Sequence, residues 1–346
     1  MPRPLWYPSL LALASLVLAS CDGNDTPTAP STGVDGAGAA LATAVTGWTE
    51  RARLPSSRVS LAAAVVNNSA GRPILYAIGG DDGDGVSLAT LVAYDFASNT
   101  WSSRASLPAR LEETNGAGVI GGKIYVSGGR DLDNSSPGSD DGAPRSTLYV
   151  YDPATNSWTR KADMPEPSIA GVSGVIGGKL YVLNTESTRF FRYDPTTNSW
   201  STLPHSPTQH FRGSGAVIGG KLYVAGGEIF SVNGPYAVKR VHVYDPVSNS
   251  WTVRAPLIYP VFASAAARLQ GQLYVLGGNR GDRSRNFVQA YDPAANAWSL
   301  KASLPTRRSS LAAANVVLGG QQRIVAVGGF GGTGDRALRS NDLFTP

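Results

Sequence analysis

The chain keeps returning to one order of apolar and polar positions. A run of small apolar residues comes first, as in SLAAAVV (Ser60–Val66) or GAGVI (Gly116–Ile120). A turn follows, often Gly-Gly-Lys, at Gly121-Gly122-Lys123, Gly177-Gly178-Lys179 and Gly219-Gly220-Lys221, which is a two-residue hairpin signal. A KLYV-like segment then ends on a glycine pair: Gly79-Gly80, Gly128-Gly129, Gly226-Gly227, Gly277-Gly278 and Gly328-Gly329. Glycine there admits positive φ and the close approach of a neighbouring side chain. After a loop of variable length a third segment alternates, as in Val241-His242-Val243-Tyr244. A turn built on Tyr-Asp, usually Tyr-Asp-Pro, leads to a last segment with a Trp. Short period-2 segments bounded by Gly, Pro and Asn predict four strands per unit, and no helix.

The unit recurs across the chain. Six Trp mark it, at 48, 101, 158, 200, 251 and 298, with spacings of 53, 57, 42, 51 and 47 residues. The Tyr-Asp phrase stands at Tyr94-Asp95, Tyr151-Asp152, Tyr193-Asp194, Tyr244-Asp245 and Tyr291-Asp292. An Asn sits two places before each later Trp: Asn99, Asn156, Asn198, Asn249 and Asn296. One copy departs from the pattern, with Asn184-Thr185 in the glycine places. Residues equivalent across copies serve packing between neighbouring units, so the Trp, Tyr-Asp and Gly-Gly positions are expected to be structural rather than ligand platforms.

Glycine pair, Tyr-Asp and Trp at about 50 residues per copy resemble the kelch repeat. The resemblance covers residues 48–346. It implies an all-β fold, a six-bladed kelch-type β-propeller with four antiparallel strands per blade. The small apolar run is then the innermost strand, where six strands converge. The segment at Leu343-Phe344-Thr345-Pro346 takes the third-strand place of the last blade, and Gly47-Trp48-Thr49-Glu50-Arg51 reads as a fourth strand with no blade before it. The last blade is therefore expected to be closed by the N-terminal strand, which removes an open edge.

Composition agrees with many tight turns and buried strands. Of 346 residues 40 are Gly and 23 Pro, while only 16% are charged, against roughly 25% in ordinary soluble domains. The net charge of +5 comes from scattered single residues, mostly Arg, so no basic stripe points to nucleic acid. One cysteine excludes an internal disulfide and any multi-cysteine metal site.

That cysteine ends an N-terminal address. Residues 1–20 combine Arg3, the apolar run Leu10–Leu18 and a small-residue end, which reads as a signal peptide too short to span a bilayer. Leu18-Ala19-Ser20-Cys21 resembles the lipobox of bacterial lipoproteins, which implies lipidation of Cys21. Residues 21–46, rich in Gly, Ala, Thr and Pro, read as a flexible tether with a reach of roughly 25–30 Å, and 47–346 as the propeller. The expected location is the bacterial cell envelope, lipid-anchored on its periplasmic or extracellular face. A monomer is expected.

Candidate chemistry is sparse. His242 lies within a predicted strand, and His205 and His210 flank one connection between blades. The galactose oxidase propeller resembles this architecture but needs a cysteine bonded to a tyrosine and two histidine ligands for copper. With Cys21 spent on the anchor, that activity is rejected. Two loops are acidic: Asp81-Asp82-Gly83-Asp84-Gly85, and Arg130–Pro144 with Asp131, Asp133, Asp140 and Asp141. Alternating oxygen ligands suit calcium, but neither loop has EF-hand spacing. Solvated loop acids are the expectation, and no cofactor is implied.

In kelch domains that bind peptides, the pocket is lined by residues just after the glycine pairs and by residues entering the first strands. That resemblance implies Asp81, Arg130, Glu228, Asn279 and Phe330 in the first group, and Arg58, Glu113, His210, Arg212 and Arg308 in the second. They differ from one another while the frame around them repeats. Arg58, Arg130, Arg212 and Arg308 on one face would favour an anionic ligand. No nucleophile–base pair or cofactor motif is visible. The expected function is thus a binding module for a protein, peptide or glycan at the channel rim. The alternative is an enzyme similar to the periplasmic sialic-acid mutarotases, also six-bladed kelch proteins, using Glu228, Arg212 and His210. Replacing Cys21 by Ala is expected to move the protein from the membrane to the soluble fraction; a variant still found with membranes would refute the anchor.

Overall fold

The computed structural model describes residues 47–132, 142–232, 234–281 and 283–346. The signal peptide, Cys21, the tether, and Asp133, Asp140 and Asp141 lie outside these residues. The described part contains six four-stranded antiparallel sheets. Blade I runs Ala62–Asn67, Pro73–Ile78, Leu91–Asp95 and Thr100–Arg104 from the inside outward. The inner strands of the six blades are Ala62–Asn67, Ala117–Ile120, Val172–Ile176, Ser214–Ile218, Ala265–Leu269 and Ala312–Leu318. Each lies against the next, and the sixth lies against the first. The chain is a closed six-bladed propeller.

Closure uses the expected strand. Gly47–Glu50 pairs antiparallel with Asn341–Thr345, Trp48 opposite Phe344 and Glu50 opposite Asp342. The link that follows is also tied to the C-terminal strand, through Arg51 N to Asn341 O (2.8 Å) and Asn341 Nδ2 to Ala52 O (3.1 Å).

The repeated polar residues join the blades. Each Trp indole N–H donates to a backbone carbonyl just past the outer strand of the preceding blade: Trp48 to Ala302, Trp101 to Ala52, Trp158 to Ala105, Trp200 to Ala162, Trp251 to Pro204 and Trp298 to Ala255, all at 2.7–2.9 Å. In four places the same residue also gives its N–H to the repeated Asn: Ala52 to Asn99, Ala105 to Asn156, Ala162 to Asn198 and Ala255 to Asn296. Pro204 has no N–H to give. The Tyr hydroxyl of the Tyr-Asp phrase donates to the same Asn oxygen, as Tyr94 does to Asn99 at 2.6 Å. These Asn sit at φ of 50–56°, a conformation Asn tolerates better than most residues. At roughly 0.5–1.5 kcal/mol each, the bonds are modest alone and repeat around the ring.

One expectation needs correction and a second is extended. The third strand does not alternate between core and solvent, because a neighbouring blade covers each face; Val241, His242, Val243 and Tyr244 are all buried. The outer strand is the exposed one, as in Thr100–Arg104, where only Trp101 and Arg104 are half-buried. At the glycine pairs, a backbone carbonyl of an adjoining segment approaches as well as the expected side chain, such as Asn115 at Gly128. A Cβ on Gly79 would overlap Leu111 O, and one on Gly80 would lie 2.5 Å from Val59 O. Gly80 N donates to Leu111 O at 2.8 Å.

Gly121, in a hairpin turn, has positive φ but open space around it. Urea denaturation should therefore show Gly121→Ala costing about 1–2 kcal/mol, the strain of a left-handed non-glycine residue. Gly79→Ala should cost about 3 kcal/mol or more, because a backbone contact between blades must open as well. Equal costs would refute the backbone-contact account.

Candidate binding site at the channel mouth

A residue just before each inner strand is held in left-handed backbone conformation: Ser60, Glu113, Ala170, Arg212, Ala263 and Ser310, with φ of 46–54°. Their backbones are joined around the channel. Glu113 N donates to Ser60 O, Ala170 N to Glu113 O, Ala263 N to Arg212 O, Ser310 N to Ala263 O and Ser60 N to Ser310 O, at 2.6–3.0 Å. This collar opens into a cavity of about 210 Å³ lined below by small residues of the inner strands, among them Gly116, Ser173, Gly215 and Ala266.

Four collar residues are Ala or Ser. The other two, Glu113 and Arg212, reach over the small Ala170 between them. Arg212 Nη2 lies 2.9 Å from Glu113 Oε1, and Nη1 lies 3.3 Å from Glu228 Oε1. Arg130 contacts the other side, with Nε 2.9 Å from Glu112 Oε1 and Nη2 3.0 Å from Glu113 Oε2. The chain of charges runs Glu112–Arg130–Glu113–Arg212–Glu228. Burial pushes the Glu112 carboxyl up to about 7, against the opposing pull of Arg130. Burial also raises Glu228, and raises Glu186, whose charge is felt by Glu113, Arg212 and Arg130.

The other predicted residues lie elsewhere. Arg58, His210 and Arg308 stand two places before a collar residue, where the remaining blades carry Leu111, Ser168 and Val261. All six are buried. Arg58, His210 and Arg308 act alike, and each donates to the carbonyl of the first glycine of its own blade's pair. Arg58 Nη1 reaches Gly79 O at 3.2 Å, Arg308 Nη1 reaches Gly328 O at 3.3 Å, and His210 Nδ1 reaches Gly226 O at 2.8 Å. Arg58 also holds Thr90, and Arg308 is ion-paired with Asp342 at 2.6 Å. Burial lowers Arg58 to about 10. These side chains hold the frame and do not line the mouth, so His210 is no partner for Glu228 and Arg212 there. Asp81 is buried and accepts Gly83 N; Asn279 pairs through its backbone with Phe262; Phe330 pairs with Ser309.

The anionic preference loses its basis. Two of the four arginines are buried in the frame, and the other two are paired with Glu112, Glu113 and Glu228. In the first acidic loop, the Asp81 and Asp82 carboxylates accept backbone N–H groups of their own turn. Among the described residues no group of three or more His, Cys, Asp or Glu side chains could hold a metal ion. Sequence reasoning missed Glu112, Glu186 and the His210–His242 contact. Aligning the copies on the collar place would have marked Arg58, His210 and Arg308 as buried, since Leu and Val share their position.

The proton arrangement of the His pair follows from geometry. Gly226 O can only accept, so His210 Nδ1 carries the hydrogen and Nε2 accepts from His242 Nδ1 at 2.8 Å. Both rings are neutral; burial, with nearby Arg240, lowers both, His210 to about 4.

Two descriptions of kelch-repeat sequences match the chain. The KLHDC2/KLHL20/DRC7 Kelch-repeats domain matches residues 43–227, more than half of it. The Kelch motif matches 212–258 and 262–305. Kelch-like protein 25 of Xenopus tropicalis is 34% identical over 182 residues, covering 53% of this chain and 23% of that protein. Kelch-like protein terF of Aspergillus terreus is 29% identical over 244 residues, covering 67% and 52%. Beta-scruin of Limulus polyphemus is 30% identical over 123 residues, covering 35% and 12%. The chain thus spans about half or less of the length of these relatives. Among solved structures, that of YjhT superposes with a TM-score of 0.67 at 18% identity, over 84% of this chain and 96% of that one, which is a likeness of fold.

The two buried groups respond to pH in opposite directions. His210, lowered from about 6.5 to about 4, contributes stability that is present above pH 6.5 and lost as pH falls toward 4, by up to about 3 kcal/mol. Glu112, raised from 4.5 to about 7, contributes stability that is present below 4.5 and lost as pH rises through 7. The slopes oppose each other between pH 4.5 and 6.5. In Glu112→Gln, urea midpoints should therefore climb with pH across that window more steeply than in the wild type; parallel curves would show that Glu112 titrates normally.

Proposed function

The chain belongs to the kelch-repeat family, and from that premise we propose that it is a binding module whose ligand enters the channel mouth and meets Arg212 and Glu113. One observation carries this reading. The collar repeats six times with the same strained backbone, yet only two of its side chains are charged, and those two form an ion pair across the cavity. A frame that needs only Ala or Ser at that place leaves Glu113 and Arg212 without a structural reason. The proposal includes the envelope location: lipidated Cys21 anchors the protein, and residues 21–46 tether it.

A second reading has one observation in its favour. Glu112 carries a carboxyl poised near neutrality next to the mouth, the range a general acid–base group needs. A sugar mutarotase or epimerase would use Glu112 or Glu228 with Arg212.

A thermal-shift screen of the full chain against glycans, amines and peptides tests the proposal. A ligand at 100 times its Kd should stabilise by about 2.7 kcal/mol, and the double variant Glu113→Ala/Arg212→Ala should abolish that shift while leaving most of the unliganded Tm. Shifts unchanged in the double variant, or none from any compound, would refute the mouth as the site. Anomer exchange of sialic acid followed by NMR in the same samples separates the readings: acceleration lost in Glu228→Gln makes the enzyme, and none leaves the binding module.

A further inference from the structure

In blade IV the loop after the glycine pair forms a two-stranded hairpin, Glu228–Ser231 against Gly234–Ala237, longer than the pairing at the same place in blade VI, Phe330–Gly331 against Arg336–Ala337. Glu228 and Phe230 alternate onto the same face of it. Glu228 meets Arg212 on that face, and the Phe230 ring lies 5.9 Å from that of Phe211. The Arg212 guanidinium in turn sits 5.0 Å from the centre of the Phe211 ring. The mouth and the hairpin therefore form one continuous surface.

Two properties of that surface need a partner. Phe230 is 69% exposed and Val232, at the tip, is fully exposed. Exposed apolar side chains clustered on one hairpin mark an interaction site, whereas single scattered ones do not. Charge is also unbalanced. Among the described residues, Glu112, Glu113, Glu186 and Glu228 cluster around Arg130 and Arg212, and both of these are shared with Glu113. Lys239 and Arg240 stand at the hairpin's foot toward blade V, where Lys239 O accepts Leu257 N.

Resting on the mouth-binding reading, we propose that the partner is an extended peptide segment that presents a Lys or Arg to the Glu113–Glu228 carboxylates and an adjacent apolar side chain to Phe211, Phe230 and Val232. The carboxylate surplus selects a basic group over an acidic one. Aromatic faces beside carboxylates suit a cation in addition. The aliphatic tip favours protein over carbohydrate, since Val232 offers a sugar hydroxyl no hydrogen bond.

The test uses the full chain and three sets of fluorescein-labelled nonapeptides. The first has Lys at the centre with Leu or Phe beside it; the second has Glu for Lys; the third keeps Lys and has Ser for the apolar residues. Anisotropy should show the first set binding at least tenfold tighter than the others, with affinity falling as salt rises. Phe230→Ser should weaken it at least fivefold with Tm unchanged, because the side chain is exposed. Glu228→Gln should reduce the preference for Lys over Glu. Equal affinity for the three sets, tighter binding of the acidic set, no measurable binding of the first set, or displacement by neutral oligosaccharides would overturn the inference. If the mouth instead takes an acidic or sugar ligand whose binding the Glu113→Ala/Arg212→Ala variant abolishes, the binding module stands and only the partner class fails.

Discussion

Neighbouring blades touch backbone to backbone, and that contact sets the rest of the structure. The second glycine of a pair donates its N–H to the carbonyl two places before the next blade's collar residue, as Gly80 does to Leu111, Gly129 to Ser168 and Gly278 to Arg308. A Cβ on the first glycine would overlap a carbonyl of the next blade, and one on the second would overlap the collar segment of its own blade. Blade III lacks the pair, and there His210 N of the next blade donates to Thr185 O at 3.2 Å, while Thr185 Oγ1 and Asn184 Nδ2 donate to Ala170 O and Pro167 O of their own blade. The Trp and Asn bonds hold the outer ends of the blades, and the glycine contacts hold the inner ends. A ring closed at both radii leaves little freedom for its centre, so the collar keeps six left-handed residues that would be unfavourable in an open chain.

That rigidity explains how a nearly symmetric frame carries an asymmetric site. The collar, the inner strands and the glycine pairs are set by closure, so variation at the collar positions does not disturb it. Glu113 and Arg212 are such variations. The same frame exerts a demand two residues earlier, where the carbonyl of the first glycine faces the buried interior. Leu111 and Val261 fill that place with volume, and Ser168 donates its hydroxyl to Asn115 Oδ1; Arg58, His210 and Arg308 fill it and also donate a hydrogen bond to the carbonyl. A buried Arg costs desolvation unless it is paired. Arg308 has Asp342, and Arg58 has two carbonyls and the Thr90 hydroxyl.

The charge at the mouth depends on the same geometry. Glu112 precedes Glu113 and is held by Arg130, where burial raises its carboxyl, while Glu113 reaches both Arg130 and Arg212. The mouth thus carries more carboxyl groups than guanidinium groups, beside the apolar hairpin of blade IV.

How much of this was readable in advance follows from range in the chain. The sequence alone determined the number of blades, the order of strands within each, the closing strand and the structural standing of Trp, Tyr-Asp and Gly-Gly. Each of these is a local pattern repeated at a constant interval, and repetition makes a weak local signal firm. Tertiary structure alone decided which variable residues face the channel. Arg58 and Ser60 are two positions apart, as are His210 and Arg212, yet a left-handed residue between strand and turn sends one inward and the other to the mouth. Glu113 and Arg212, which meet at the mouth, stand 99 residues apart, and Phe211 meets Phe230 only through the hairpin of blade IV, and no pattern along the chain encodes those encounters.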